Sequence, residues 1–268
     1  MIEVFGYLSA IVIGFTLGLI GGGGSILTVP ALVYIIGISP VLATSYSLFV
    51  VGVSALVGSL NYMRKGLMSY KTAVVFAIPS FIAVYATRKF VVPAIPEVIF
   101  TAGNVVVSKD LAIMVLFALI MLMASVSMIW SGRSRFNNGK PAQEPVFNYP
   151  LILLEGAVVG GLTGLVGAGG GFLIIPALVL MTKLPMKLAV GTSLLIIAAK
   201  SLIGFIGDIQ EQPIELGFLI PFTAIAVAGI FAGSYVSRFV ANERLKSWFG
   251  WFVLLMSVYI LLRELFMY

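Results

Sequence analysis

Two glycine-rich clusters interrupt an otherwise apolar sequence, and they are the residues best suited to binding a ligand. Glycine lets the backbone turn tightly and lets a ligand approach without a side chain in the way. An apolar helix is predicted to begin directly after each cluster, so its unpaired N–H groups and positive dipole end point into the turn. This arrangement binds anions without a charged side chain. The candidate contacts are the glycines and the serine after the first cluster: Gly21, Gly22, Gly23, Gly24, Ser25, Gly167, Gly169, Gly170 and Gly171. The alternative is close helix packing, which glycines spaced four apart also serve.

Lys200 is the single residue with the clearest chemical potential. It lies within the apolar segment 187–207, seven residues from the end of that segment. At 1.5 Å per residue, this separation is roughly 10 Å along the helix axis. A lysine side chain can hardly reach the lipid headgroups over that distance. A buried lysine costs several kcal/mol unless it faces a polar cavity or partner. Its helical face also carries Ser193 and Gly204, so we expect Lys200 to face protein and to attract an anion. The alternative is a displaced span from which Lys200 reaches the headgroups.

Hydroxyl groups near the starts of the third and eighth apolar segments are further candidate ligands. Hydroxyls can donate hydrogen bonds to the oxygens of an anion, but serine and threonine also bond their own helix carbonyls. The site candidates are Ser47, Thr192 and Ser193, with Thr44, Ser45 and Tyr46 nearby. Glu155 is the one carboxylate expected within the membrane, where it could exchange a coupling proton or sit at the interface.

The composition decides which classes of protein these residues can serve. The chain has 268 residues, of which 60% are hydrophobic and 10% are charged. Soluble domains carry about 25% charged residues, so a soluble enzyme and a nucleic-acid-binding module are excluded. The chain contains no cysteine and no histidine, which excludes disulfides and removes the commonest metal ligands. We therefore expect neither a metal nor a cofactor, and we expect the lipid bilayer as the surroundings.

The apolar runs predict an all-α polytopic membrane protein with about 8–10 transmembrane segments. A helix needs about 20 apolar residues to cross the hydrocarbon core. The second and seventh runs are too short to span comfortably and each follows a glycine cluster, so they are predicted to be short crossings or re-entrant helices. The ten runs are 4–21, 25–37, 42–60, 70–88, 108–131, 150–167, 171–182, 187–207, 214–237 and 247–266.

The distribution of charge predicts that both termini lie outside the cell membrane. Cytoplasmic loops collect lysine and arginine. With the N-terminus outside, the outer loops hold Arg88, Lys89 and Lys109, and one of them carries Asp208, Glu211 and Glu215 without a basic residue. The inner loops then hold most of the basic residues: Arg64, Lys65, Lys71, Arg133, Arg135, Lys140, Lys183, Lys187, Arg238, Arg244 and Lys246.

An internal repeat divides the chain into two units. Residues 14–61 align without a gap onto residues 160–207 at a fixed offset of 146, with 17 of 48 positions identical. We expect a first unit at 1–131, a cytoplasmic linker at 132–149 and a second unit at 150–268. Equivalent loops carry opposite charge, and an odd number of spans per unit places equivalent segments on opposite sides of the membrane. Inverted repeats with interrupted helices are typical of alternating-access secondary transporters.

The doubled motif resembles a known family. The segments GLIGGGGSILTVPALV and GLVGAGGGFLIIPALV, each followed by an A-x-x-x-S-L segment, are similar to the sulfite exporter TauE/SafE family, also called the toluene-sulfonate uptake permease family. This resemblance implies a secondary transporter that moves small sulfur-containing anions across the cytoplasmic membrane, with a proton or ion available for coupling. Two alternatives stay open at this point: an anion channel, and an intramembrane enzyme in which Ser193 and Lys200 act as nucleophile and base.

Overall fold

The computed structural model describes residues 2–102, 105–135, 149–166, 171–180, 184–209 and 212–266. This part of the chain forms eleven helices and one two-stranded hairpin. The helices are α1 (Ile2–Ile20), α2 (Gly23–Ala31), α3 (Pro40–Arg64), α4 (Tyr70–Ala86), α5 (Val92–Ala94), α6 (Lys109–Arg135), α7 (Tyr149–Val166), α8 (Gly171–Leu180), α9 (Met186–Asp208), α10 (Leu216–Val236) and α11 (Asn242–Phe266). Five-residue π-helical turns continue α2 at Leu32–Ile36 and α4 at Thr87–Val91.

The helix lengths confirm an all-α polytopic membrane protein. Among the described residues, six helical stretches are long and apolar enough to cross a membrane: Pro40–Arg64, Tyr70–Ala94, Lys109–Val126, Met186–Asp208, Leu216–Phe239 and Ser247–Glu264. Shorter apolar stretches lie at Phe5–Ile20, Ile26–Ile36 and Pro150–Val166. The second and seventh predicted segments are indeed short, because α2 has 9 residues and α8 has 10.

Three boundaries differ from the predictions. Helix α6 continues to Arg135 and so enters the predicted linker. Helix α9 includes Asp208, which the sequence analysis assigned to an outer loop. Between α5 and α6 the chain forms an unpredicted antiparallel hairpin, β1 (Val98–Ala102) and β2 (Val105–Ser108). Both strands are rich in β-branched residues, which favour a pleated conformation.

Helix α1 packs in parallel against α10 through its glycines. A Cβ atom at Gly14 would collide with the backbone carbonyl of Ala226, and one at Gly18 would collide with that of Ile230. Both contact positions advance by four residues, so the two helices run in the same direction. Only glycine lets two backbones approach this closely.

Helix α7 packs against α4 in the same way. A Cβ atom at Gly160 would lie 2.5 Å from the carbonyl oxygen of Ser80, and one at Gly164 would lie 3.2 Å from that of Val84. The offset of 146 residues holds for every position: Gly160 corresponds to Gly14, Gly164 to Gly18, Ser80 to Ala226 and Val84 to Ile230. The offset found in the sequence therefore relates the backbone contacts of the two pairs.

Helices α3 and α9 pack antiparallel along the centre of the molecule. A Cβ atom at Gly204 would lie 3.3 Å from Leu48, and one at Gly58 would lie 3.5 Å from Leu194. The later residue of α9 contacts the earlier residue of α3, and the reverse holds at the other contact. The two helices therefore run in opposite directions. Helix α3 begins at Pro40 and α9 at Met186, again 146 residues apart. These two helices, one from each predicted unit, thus have opposite orientations.

Basic side chains gather at one end of the bundle. Lys187 Nζ donates a hydrogen bond to the carbonyl oxygen of Arg238 at 3.5 Å. Partial burial and the Arg238 charge hold the pKa of Lys65 below its ordinary value. These residues come from three separate loops that were predicted to share the inner side.

Candidate functional site

The first glycine turn has a backbone that requires glycine. Gly21 adopts a φ of +83°, in the left-handed region that favours glycine, and its N–H donates to the carbonyl oxygen of Leu17 at 2.8 Å. A Cβ atom there would lie 2.8 Å from Cγ1 of Val190 on α9. The turn between α1 and α2 is therefore pressed against the central helix α9.

The two glycine turns meet. A Cβ atom at Gly22 would collide with the backbone carbonyl of Gly171, the first residue of α8, and would lie 2.9 Å from Cδ1 of Ile175. Because α2 begins at Gly23 and α8 at Gly171, the N-terminal ends of the two short helices converge. Two positive dipole ends then share one region.

The remaining glycine-turn candidates divide into three groups. Gly24 serves packing, since a Cβ atom there would collide with the carbonyl oxygen of Ile13 and lie 2.6 Å from Leu17 on α1. Gly23 and Ser25 lie in the first turn of α2. Gly167, Gly169 and Gly170 lie outside the described residues.

Lys200 is completely buried, with 0% of its surface exposed. Its Nζ donates a hydrogen bond to Thr163 Oγ1 at 3.0 Å, and Thr163 Oγ1 in turn donates to the carbonyl oxygen of Gly160 at 3.1 Å. The alternative that Lys200 reaches the headgroups is therefore wrong. Within the described ranges, no carboxylate oxygen lies within 4.0 Å of this ammonium group. A buried cation with a neutral partner is an unbalanced charge that an anion can neutralise.

Thr163 places this ammonium group near the C-terminal end of α7. It lies three residues before the last residue of α7, Val166, which is about 4.5 Å along the helix axis. The sequence analysis missed Thr163, although it is the only hydroxyl-bearing residue of the apolar run 150–167. That isolated polar side chain was the available signal.

The predicted hydroxyl ligands behave differently from one another. Ser47 Oγ is buried on α3 and has no hydrogen-bond partner among the described residues. Thr192 Oγ1 accepts the N–H of Ser69 at 2.9 Å and donates to Leu188 at 2.7 Å, so it fixes the start of α4. Ser193 Oγ donates to the carbonyl oxygen of Val190 at 2.9 Å. Ser47 thus keeps a donor for a ligand, while Thr192 and Ser193 serve the helices.

Three further buried hydroxyls, those of Ser54, Ser80 and Ser201, have no hydrogen-bond partner in the described part of the chain. Ser201 follows Lys200 in α9, and Ser54 is the equivalent of Lys200 in the first unit. Ser80 packs on Gly160, whose carbonyl oxygen accepts from Thr163. The sequence analysis did not select Ser80 or Ser201, because single serines in apolar helices carry no spacing signal.

The structure does not pair Ser193 with Lys200. Ser193 bonds a backbone carbonyl, whereas Lys200 bonds Thr163. A nucleophile and its base need direct hydrogen-bond contact, so this geometry does not support the enzyme alternative.

A buried ion pair links the ends of α4 and α9. Arg88 Nη1 lies 3.3 Å from Asp208 Oδ2, with the side chains 1% and 5% exposed. Both residues were predicted in loops, whereas the structure places Arg88 in a π-helical turn and Asp208 at the end of α9. Charges at the end of an apolar run normally reach water, whereas here the π-helical turn after α4 carries Arg88 inward to Gly207 and Asp208.

The equivalent positions at the opposite end of the bundle are uncharged. The counterparts of Arg88 and Asp208 are Ser234 and Tyr62, which are buried. Ser234 Oγ accepts from Asn61 Nδ2 at 2.5 Å, and Tyr62 OH lies 3.1 Å from Ser237 Oγ. The two ends therefore differ in charge at matched places.

Glu155 lies on α7, as predicted, with both carboxyl oxygens buried. Neither oxygen has a hydrogen-bond partner within the ranges that the structure describes. Its neighbour Gly156 packs on the backbone of Phe76 in α4. Glu155 is thus a protein-facing carboxyl group and not an exposed interface residue.

The fold defines a polytopic membrane protein with a buried lysine and two converging helix starts, and the comparisons agree with it. Residues 7–260 match the sulfite exporter TauE/SafE family, and the chain belongs to this family. The resemblance found in the doubled motif is thereby confirmed. No solved structure gives a significant match to the chain.

Three relatives carry the name of probable membrane transporter protein. One from Xylella fastidiosa is 28% identical over 94% of this chain and 92% of its own length. YunE from Bacillus subtilis is 26% identical, over 87% of this chain and 89% of its own. One from Methanocaldococcus jannaschii is 26% identical, over 83% of this chain and 79% of its own. Together with the family, these relatives identify the chain as a membrane transporter.

Proposed function

We propose that this chain is a secondary transporter that moves small sulfur-containing anions across the cytoplasmic membrane by alternating access. Sulfite, sulfonates and related organosulfur compounds are the substrate class, in keeping with the name of the family. The observation that carries the proposal is the buried ammonium group of Lys200, which has a neutral partner, Thr163.

Three groups favour an anion over a neutral or cationic substrate. When protonated, Lys200 supplies one positive charge in low-dielectric surroundings, where electrostatic interactions are strong. The converging starts of α2 and α8 add backbone N–H donors and positive dipole ends. Ser47 adds a hydroxyl donor that the protein leaves without a partner among the described residues. These donors match the oxygens of a sulfite or sulfonate group.

The two units, 1–131 and 150–268 with the linker 132–149 between them, provide the alternation. The antiparallel course of α3 and α9 and the 146-residue offset between matched contacts support an inverted repeat. Two units of opposite orientation allow the same site to open to either side in turn.

The proposed orientation places both termini outside. The clustering of Lys65, Lys187 and Arg238 at one end supports a cytoplasmic side there. Glu155, with two buried oxygens that lack partners within the described ranges, is the group proposed to exchange a coupling proton.

Uptake by the purified protein in liposomes tests this function. Labelled sulfite or methanesulfonate should enter with saturation and should exchange against unlabelled anion in counterflow. Lys200→Met should raise the half-saturating concentration tenfold or more, while Lys71→Met, which removes an exposed lysine at the start of α4, should transport normally. Non-saturating flux without counterflow would identify a channel instead. Normal uptake by Lys200→Met would refute the assigned role of Lys200.

A further inference from the structure

We propose that a second anion site lies at the Arg88 end of the bundle and binds an oxyanion through the guanidinium group of Arg88. The inference rests on the proposed function only in placing this site on the path of the transported anion. The binding itself depends on the local geometry alone.

The guanidinium group of Arg88 has an edge without a partner. Only Nη1 approaches Asp208, at 3.3 Å, and Nε and Nη2 are buried without a hydrogen-bond partner in the described part of the chain. These two nitrogens form the edge of the guanidinium group that can donate bidentate hydrogen bonds to two oxygens of one carboxylate, phosphate or sulfonate group. Buried donors are almost always paired, so this edge indicates a ligand that approaches from the adjoining space.

A polar cavity adjoins the Arg88 side chain. It has a volume of about 220 Å³ and is lined by Arg88 and Asp208 together with Lys109, Glu97 and Gln212. Pockets for drug-sized ligands have roughly 300–1,000 Å³, and one water has about 30 Å³. The cavity is therefore the right size for a small anion with a few waters. Lys109 is nearly buried and supplies a second cation on the same wall.

The anion does not need to displace Asp208. Asp208 approaches Nη1, so an oxyanion can use Nε and Nη2 while the ion pair stays in place. Glu97 is exposed beside the cavity, and its negative charge lowers the affinity for any anion there. At the opposite end of the bundle the equivalent of Arg88 is Ser234, which lacks a charge.

Titration of methanesulfonate and chloride into the purified full chain in detergent micelles tests the inference. Arg88→Lys keeps the charge opposite Asp208 but lacks the two-nitrogen edge. It should weaken methanesulfonate binding at least tenfold and change chloride binding little. Lys89→Gln, which removes the exposed cation next in sequence, is the matched control and should bind as the parent does.

A second variant keeps the test decisive if Arg88→Lys does not fold. Glu97→Gln changes an exposed side chain and should strengthen methanesulfonate binding severalfold, with a larger effect at low ionic strength. Unchanged binding in Arg88→Lys, or in Glu97→Gln when Arg88→Lys does not fold, would overturn the site.

The same titration in Lys200→Met separates this site from the proposed transport site. Arg88-dependent binding should persist in Lys200→Met. If that binding persists while liposomes containing the parent protein show no transport, the proposed function fails and the Arg88 site stands. Loss of all binding in Lys200→Met would overturn the Arg88 site, because one site would then account for the data.

Discussion

Replacing Lys200 with methionine should stabilise the folded protein while it damages anion binding. A lysine at the centre of a bilayer costs about 2.5–3.5 kcal/mol on insertion scales. A hydrogen bond to a charged group returns about 1.5–3 kcal/mol, and Lys200 has such a bond to Thr163. The difference, about 1 kcal/mol, is the net cost of keeping the lysine.

Methionine removes this cost without creating an unpaired donor. It nearly matches the length of the apolar stem of lysine and packs adaptably, and the Thr163 hydroxyl keeps its bond to Gly160. We therefore expect the free energy of unfolding to rise by about 1 kcal/mol. The affinity for a sulfonate should fall about tenfold or more, since one lost charge contact is worth at least 1.4 kcal/mol.

Both quantities can be measured on one preparation. Denaturant unfolding in mixed micelles gives the stability, and the concentration dependence of liposome uptake gives the affinity of the proposed transport site. Lys71→Met is the control, since this lysine is exposed and its loss should change neither quantity. A less stable Lys200→Met protein with unchanged anion affinity would show that the lysine is structural and would refute the reasoning.

Three further substitutions test the glycine contacts and the partner of the lysine. Gly22→Ala places a Cβ atom onto the backbone of Gly171 and should reduce transport strongly. The control Gly217→Ala has open space at its Cβ atom and should transport normally. Equal uptake by the two variants would contradict the contact between Gly22 and the start of α8. Gly160→Ala should lower the free energy of unfolding by about 1–3 kcal/mol, because the new methyl group overpacks against Ser80. The control Gly161→Ala would have its nearest neighbour 3.9 Å from the new Cβ atom. Its free energy of unfolding, measured with denaturant, should equal that of the parent. Thr163→Val should lower the free energy of unfolding by about 1.5–3 kcal/mol, because it leaves the buried ammonium group without its partner, and this loss should vanish in the double variant Thr163→Val/Lys200→Met.

The sequence predicted the spans and the burial of Lys200 for physical reasons that are visible in one dimension. The periodic placement of small and polar residues around Lys200 marks a protein-facing stripe, and the structure buries the residue completely. The offset of 146 found by alignment also relates the starts of α3 and α9, at Pro40 and Met186. Length, hydropathy and register are properties of the chain itself.

The sequence could not predict which groups meet across the bundle. Arg88 and Asp208 are 120 residues apart, and each looks like an ordinary interfacial charge at the end of an apolar run. Their pairing depends on the π-helical turn after α4, which pulls Arg88 inward. Thr163 was missed for a related reason, because only the packing of α7 near α9 brings its hydroxyl to Lys200. Such contacts depend on tertiary packing and produce no periodic pattern in the sequence.

The close packing of α1 on α10 has a consequence for biosynthesis. The last residue of α1 is Ile20 and the first of α10 is Leu216, so roughly 200 residues must be translated before the partner emerges. At about 5–20 residues per second this delay is on the order of 10–40 s. During that interval Gly14 and Gly18 lack the α10 backbone against which they pack. Helix α1 therefore completes this packing only after α10 has been made.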